Sequence, residues 1–362
     1  MTKLIIHVGP GKCGSSTIQD FFAQNSDTCL QKTSIAIASA VKIHELNDNP
    51  LDEKAISYFK NLLDSNLKNK NHFILSQEYL FETPSAIKRI CQLAENLVDD
   101  ILIIGYCRQQ SNFFVSQYSQ WLFRSIKRIN EVNKYIEHIG LDSMLFSGLE
   151  RQLIASIFND FQSARMLNGY SVHNWYESYS ILEKTLTSNK RVRIHCSLLP
   201  GRDSDKTLIQ DFCDKANLTL RKDFLNKTEL ISNSSFSPDL IEAINLAILQ
   251  GYEMPGPHSN NLIENLSSKL NTPAKTPSNF ILQLKQYIDG YFWQSNQSLC
   301  DKYSLDLNYF VKPEVINKST ILNVIKDEGL KREKNKSEII ANNQALCATL
   351  TQLCLTQIKT KT

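Results

Sequence analysis

Along the first third of the chain, short apolar runs alternate with stretches of helical spacing. Leu4 to Val8 is apolar except for His7 and predicts a short buried strand. Gly9 to Gly14 predicts a turn, and Ser15 to Asn25 a helix with Ile18, Phe21 and Phe22 on one face. A helical stretch covers about Glu53 to Leu67. It precedes a second strand, His72 to Leu75, which runs out into Ser76-Gln77-Glu78. A third strand, Ile101 to Tyr106, is nearly all apolar and ends at Cys107-Arg108. Apolar strands that alternate with helices predict an α/β fold whose parallel sheet is covered on both faces.

Farther on, Ser111 to Ile157 is helical in pattern and rich in aromatics. Val192 to Leu199 predicts a fourth strand, closed by Pro200-Gly201, and Thr207 to Ala216 the helix after it. Asn226 to Ser237 is polar and loop-like, and a helix starts at Pro238 and runs to about Leu249. Four of the ten prolines fall within residues 251 to 279, which predicts a long surface loop. Helical spacing returns at Phe280 to Lys302. A Lys/Asn-rich tail follows, amphipathic after Ser337 through Ile339, Ile340, Leu346, Leu350 and Leu353. No internal repeat and no interdomain linker stands out. The expected division is a single domain over 1–310 and a helical extension over 311–362, which packs on the body of the chain or on a second subunit to make a homo-oligomer.

The chain has 362 residues, 42% hydrophobic and 21% charged, ordinary for a globular protein and ample for a full core. A net charge of +3 is too small to argue for nucleic acid, so no nucleic-acid partner is expected, but it leaves room for a local anion site. The nine cysteines are scattered and form no C-x-x-C pair, so neither a zinc site nor a redox dithiol is indicated. They read as thiols in a reducing compartment. The opening apolar run is too short for a signal segment, and nowhere do eighteen apolar residues run together. A soluble, cytoplasmic protein with no membrane span is the expectation.

Candidate chemistry starts at Gly9-Pro10-Gly11-Lys12-Cys13-Gly14-Ser15-Ser16-Thr17. A glycine-rich turn between strand and helix aims successive backbone N–H groups at one spot, and the helix N-terminus adds partial positive charge. Ser15, Ser16 and Thr17 offer hydroxyls, and Lys12 offers a mobile cation. A plain strand–turn–helix connection also uses glycine and a capping serine, but it needs neither the lysine nor three consecutive hydroxyl residues. The run is not a Walker A sequence, because Lys12 stands two residues before Gly14 instead of directly after the last glycine. This arrangement resembles the 5′-phosphosulfate loop of the sulfotransferases that use 3′-phosphoadenosine 5′-phosphosulfate (PAPS), where Lys-x-Gly-(Ser/Thr)-(Ser/Thr) is typical. Cys13 stands where threonine or serine is more usual.

Two further segments carry the resemblance. Arg108 and Ser116 match the family's Arg-x7-Ser pair for the 3′-phosphate, and Ser116, Tyr118 and Gln120 match a Ser-x-Tyr-x-Gln continuation. An arginine at a strand end forks well onto a phosphate. In the glycan-modifying branch a glutamate after the second strand is the general base, and Glu78 stands in that position. His7 is a rival base, although it lies inside the first strand. Specific motifs cover about residues 1 to 125. Beyond them the likeness rests on His173-Asn174-Trp175-Tyr176 and on a polar loop with Asn233 and Ser234.

The resemblance implies a three-layer, P-loop-like fold with helical additions. It implies sulfuryl transfer from PAPS to a hydroxyl or amine of a small-molecule or glycan acceptor, such as a glycolipid. Glu78 and Lys12 are then catalytic, and Gly11, Lys12, Cys13, Gly14, Ser15, Ser16, Thr17, Arg108 and Ser116 bind the donor. A sulfuryl group carries less negative charge than a phosphoryl group, so no metal is expected. Gln120, Trp121 and Trp175 are aromatic or polar candidates for contact with sugar rings, although aromatics at helical spacing more often belong to a core. The alternatives are a P-loop kinase or other NTPase, disfavoured by the lysine's place and by Arg108 where a metal-holding aspartate would end the strand. A silent nucleotide-binding protein of the same fold is the other.

Overall fold

A computed structural model describes residues 2–29, 33–68, 70–120, 122–158, 166–167, 170–171, 173–187, 189, 191–201, 204–220, 236, 238–251, 277–314 and 316–359. Their contacts divide the chain into two compact units. One comprises Met1–Arg108, Met166–Asn233 and Gln294–Phe310; the other comprises Gln109–Arg165, Ser234–Trp293 and Val311–Thr362.

The first unit is built on a five-stranded parallel sheet: β1 (Lys3–Val8), β2 (Thr33–Ile37), β3 (His72–Gln77), β4 (Asp100–Cys107) and β7 (Val192–Leu198), in the order β2-β3-β1-β4-β7. Two short strands, β5 (Met166–Leu167) and β6 (Tyr170–Ser171), form a separate antiparallel pair. Every residue of β1 and β4 is buried, as strands covered on both faces must be. The helices follow from right-handed crossovers. α1 (Ser15–Cys29) carries the chain from β1 outward to β2, while α3 (Glu53–Leu67), α4 (Pro84–Ala94) and α8 (Trp175–Leu186) belong to returns in the opposite direction. Opposite directions put them on opposite faces. α9 (Leu208–Ala216) joins α1, with Phe22 and Phe212 5.5 Å apart. The α/β class with a central parallel sheet flanked by helices is therefore present.

The sequence reading missed β2, so the strand at His72 is the third in chain order and the one at Asp100 the fourth. The omission has a physical cause. β2 is an edge strand, Thr-Ser-Ile-Ala-Ile, with only its first residue buried, so it lacks the mostly apolar run of β1 and β4. A helix after it, α2 (Ala40–Asp48), is capped by Ser39, which accepts from the Lys42 N–H.

The second unit is helical. The long aromatic stretch resolves into α5 (Gln110–Gln120), α6 (Ile126–His138) and α7 (Gly148–Ala155). Ser147 and Glu150 close a capping box at the start of α7. Tyr118, Phe123, Ile129, Leu240 and Ile244 form its core with the helix Pro238–Leu249, and Leu346 of the last helix, Lys336–Lys359, packs against that core. Within this unit Arg332 grips the buried Glu150 carboxylate with two nitrogens, at 2.7 and 2.8 Å. Asn233, Ser234, Trp121 and most of the proline-rich stretch 251–279 lie outside the described residues. Among the described residues no helix is long and apolar enough to cross a membrane. Seven described cysteines are free thiols, six of them buried.

Candidate active site

Register brings three strand ends to one level. Val8 of β1 pairs with Gln77 of β3 on one side and Gly105 of β4 on the other. The three segments leaving these strands therefore emerge at the same carboxyl edge, where open α/β sheets take their ligands. From β1 comes the glycine-rich turn, from β3 comes Glu78, and from β4 comes Arg108.

The turn leads into α1, whose first hydrogen bond runs from the Ile18 N–H to the Gly14 carbonyl at 3.1 Å. The N–H groups of the helix's first turn have no acceptor within it. Gly14 has φ 88°, and a Cβ there would lie 2.2 Å from Leu208 Cδ2, so only glycine fits. Lys12 also occupies the left-handed region, at φ 66°, which an L side chain adopts at some cost. Cys13 turns inward: it is buried, and burial pushes its thiol up to about 12, with Arg108 and Lys12 pulling the other way and Glu78 adding to the push. Cys13 is left only its backbone to offer an anion. Ser15, the first residue of α1, is 2% exposed, and its hydroxyl has no hydrogen-bond partner among the described residues. A buried polar atom costs free energy unless it finds a partner, and the group nearest to hand for the Ser15 hydroxyl is the Glu78 carboxylate. Ser16 and Thr17 are half-buried beside it.

Glu78 begins a 3₁₀ turn over Glu78–Glu82. Gln77 holds it in place: the Gln77 amide oxygen accepts from the Glu78 N–H at 2.8 Å, and its nitrogen donates to the Ala38 carbonyl at 2.8 Å. The Glu78 carboxylate lies over Gly11, where a Cβ would stand 3.0 Å from Oε2. Burial raises the Glu78 pKa, Lys12 and the nearby Ser15 hydroxyl draw it partly back, and Glu82 pushes it up slightly. The Ser15 hydroxyl is thus close enough to be felt by the carboxylate without making a hydrogen bond of ordinary geometry to it.

Arg108 Nη1 donates to the Lys12 carbonyl at 3.4 Å, which ties the end of β4 to the turn after β1. Its own carbonyl accepts from the Trp175 indole at 2.8 Å. Trp175 is fully buried, with its ring 6.0 Å from that of Phe81 in the Glu78–Glu82 turn, so it is not open to a sugar. Gln77 and Trp175 are positioning residues that local sequence patterns did not reveal.

His7 sits elsewhere. It is buried in β1, its Nδ1 pairs with Ser76 Oγ at 2.8 Å, and Tyr106 and Phe212 meet its ring edge-on. Gln19 also donates to Ser76 Oγ, at 3.0 Å. Burial lowers the His7 pKa to about 4, which keeps the imidazole neutral.

Lys12, Glu78, Arg108 and Ser15 thus gather within the first unit. Ser116 belongs to the second, half-buried in α5. Tyr118 is buried in that unit's core, its hydroxyl against Gly148. The start of α5 is held there by the buried Asp289, which accepts from the Ser111 N–H at 3.0 Å, the Ser111 hydroxyl at 2.8 Å and Gln109 Nε2 at 2.6 Å.

Neither a protein-family model nor any curated protein matches the chain. A solved structure similar to it is a sulfotransferase from Alicyclobacillus acidocaldarius, 11% identical over 84% of this chain and 97% of that one, with a TM-score of 0.35. At that degree of overlap the likeness decides nothing about this chain.

Proposed function

We propose that the chain is a PAPS-dependent sulfotransferase, with Glu78 as general base and Lys12 as the cation at the leaving phosphate. One arrangement carries the reading. At the carboxyl edge of the central strand, Lys12, Glu78 and Arg108 surround a glycine-rich turn. That turn opens a helix whose first residue buries its hydroxyl beside the Glu78 carboxylate.

The residues fit an anionic nucleotide. The first-turn N–H groups of Ser15, Ser16 and Thr17, the backbone around Gly11, Cys13 and Gly14, and the Ser15 hydroxyl would hold the 5′-phosphate. Arg108 would take the 3′-phosphate. The donor supplies the sulfuryl group. Glu78 receives the proton of the acceptor hydroxyl or amine, and its raised pKa makes it a stronger base than an ordinary carboxylate. Lys12 offsets negative charge that builds on the phosphate side.

The test is turnover of radiolabelled PAPS against a panel of saccharide, phenolic and lipid acceptors, with radiolabelled ATP run in parallel. Label moving from PAPS to an acceptor, and none moving from ATP, is the expected result. Transfer from ATP alone would return the chain to the P-loop kinases.

A further inference from the structure

The helical unit encloses a small polar cavity that sulfuryl transfer does not use. Its walls come from α5, α6, α7 and the helix Pro238–Leu249, and its volume of about 10 Å³ suits one particle of the size of a water or a halide. Tyr118 lines it from α5. That side chain is 4% exposed, and its hydroxyl has no hydrogen-bond partner among the described residues. Gly148 makes room for the hydroxyl, since a Cβ there would lie 2.0 Å from it and 2.9 Å from Asn245 Oδ1. Arg151, 2% exposed, is a buried cation of the wall. Both its hydrogen-bond partners are neutral: Nη1 donates to Asn133 Oδ1 at 3.1 Å and Nη2 to Asn245 Oδ1 at 2.5 Å. Gln152 Oε1 accepts from Arg128 Nε at 3.0 Å. The amide oxygens of the wall are thus already accepting, while the Tyr118 O–H and further N–H groups of Arg151 still have protons to give. Nearby carboxylates are engaged elsewhere. Glu242 accepts from the Gly148 N–H at 2.8 Å, and Glu150 is gripped by Arg332.

We propose that this cavity binds a halide ion between the Tyr118 hydroxyl and the Arg151 guanidinium. A halide only accepts hydrogen bonds, which is what these donors lack. A water molecule would also have to give its own protons to oxygens that already accept. Leu122, Ile129 and Val132 complete the wall with apolar surface, which strengthens the attraction between the ion and the guanidinium. The ion joins α5, through Tyr118, to α7, through Arg151, and Arg151 in turn holds Asn245 of the helix Pro238–Leu249. Because it binds only where these helices are assembled, it stabilises the folded unit.

Thermal unfolding of the full chain tests this, in sodium chloride or sodium bromide against sodium gluconate at equal ionic strength, gluconate being too large to enter. The parent is compared with Tyr118→Phe, which keeps the ring in the core and removes the donor. Effects of the salts on the outer surface are common to both proteins, so the readout is the difference between them. In gluconate Tyr118→Phe should be at least as stable as the parent, since it no longer buries an unsatisfied hydroxyl. Chloride and bromide should then raise the parent's melting temperature relative to the variant's by about 2 °C or more. Equal responses of the two proteins to the change of anion would overturn the site. Bromide-soaked crystals give a second readout: an anomalous peak between Tyr118 and Arg151 is expected, and a cavity holding water alone would overturn the proposal.

Discussion

The Glu78 carboxylate rests on Gly11, so close that a single methyl group there would stand 3.0 Å from Oε2. The turn that is to hold the donor and the group that is to take the acceptor's proton are therefore packed against one another. Gly11 does not have a positive φ, so alanine at this position strains nothing in the backbone. Gly11→Ala should instead shift the carboxylate by a few tenths of an ångström. We expect turnover to fall about tenfold or more, since small displacements of a catalytic group are costly. The melting temperature should stay within about 2 °C of the parent. Parent-level turnover in this variant would mean that the position of Glu78 does not matter to the chemistry.

Glu78→Gln keeps the shape and removes the base. Turnover should fall about 10²–10⁴-fold with affinity for 3′-phosphoadenosine 5′-phosphate (PAP) nearly unchanged. Lys12→Ala should lower turnover and weaken PAP binding together. Stability gives a second readout. The folded-state pKa of Glu78 is raised, so the folded chain binds more protons than the unfolded one between the ordinary carboxylate range and the raised value. Its stability therefore declines as pH rises through that window. Glutamine lacks this cost, so the melting temperature of Glu78→Gln should exceed the parent's at pH 7 and approach it near pH 4. An inactive variant that is also less stable at pH 7 would mark Glu78 as a structural carboxylate.

Arg108 touches the Lys12 carbonyl and is held from behind by Trp175. If it recognises a 3′-phosphate, PAP should bind more tightly than ADP, whose second phosphate is not at that position. One charge-assisted contact is worth about 1.5–3 kcal/mol, or roughly a 10- to 150-fold preference. Arg108→Ala should bring the ratio close to one with little change in ADP affinity. Equal affinities of the parent for the two nucleotides would remove Arg108 from donor recognition.

What was legible in the chain was local. β1 and β4 are mostly apolar because both their faces are covered, and the glycine turn declares itself by composition. Glu78 could be placed because it follows a strand directly. β2 stayed hidden because an edge strand has no need of a full apolar run. The supports of the site were illegible for a different reason. Trp175 reaches Arg108 across 67 positions, and Asp289 reaches Ser111 across 178. A hydrogen bond between segments so far apart imposes no spacing on either one. For the same reason, the sequence leaves Trp175 open between a sugar-stacking ring and a core aromatic, and the fold makes it a buried clamp.

His7 should set how the protein behaves in acid. Burial lowers its pKa to about 4, against about 6.5 in an unfolded chain. The unfolded state then binds more protons between these values, so the contribution of neutral His7 is complete above about pH 6.5 and is lost as pH falls toward 4. The difference amounts to about 3 kcal/mol at most. His7→Gln removes the titrating group while keeping a polar atom for Ser76. The variant should be less stable than the parent at pH 7.5, and the gap should narrow by up to that amount at pH 4.5. Parallel stability–pH curves for the two proteins would show that His7 is not held neutral. The sign is opposite to that of Glu78, whose burial costs stability as pH rises, and this separates the two groups in one experiment. A loss of turnover in acid that persists in His7→Gln would then reflect protonation of the base, whereas a loss that disappears would reflect acid unfolding through β1.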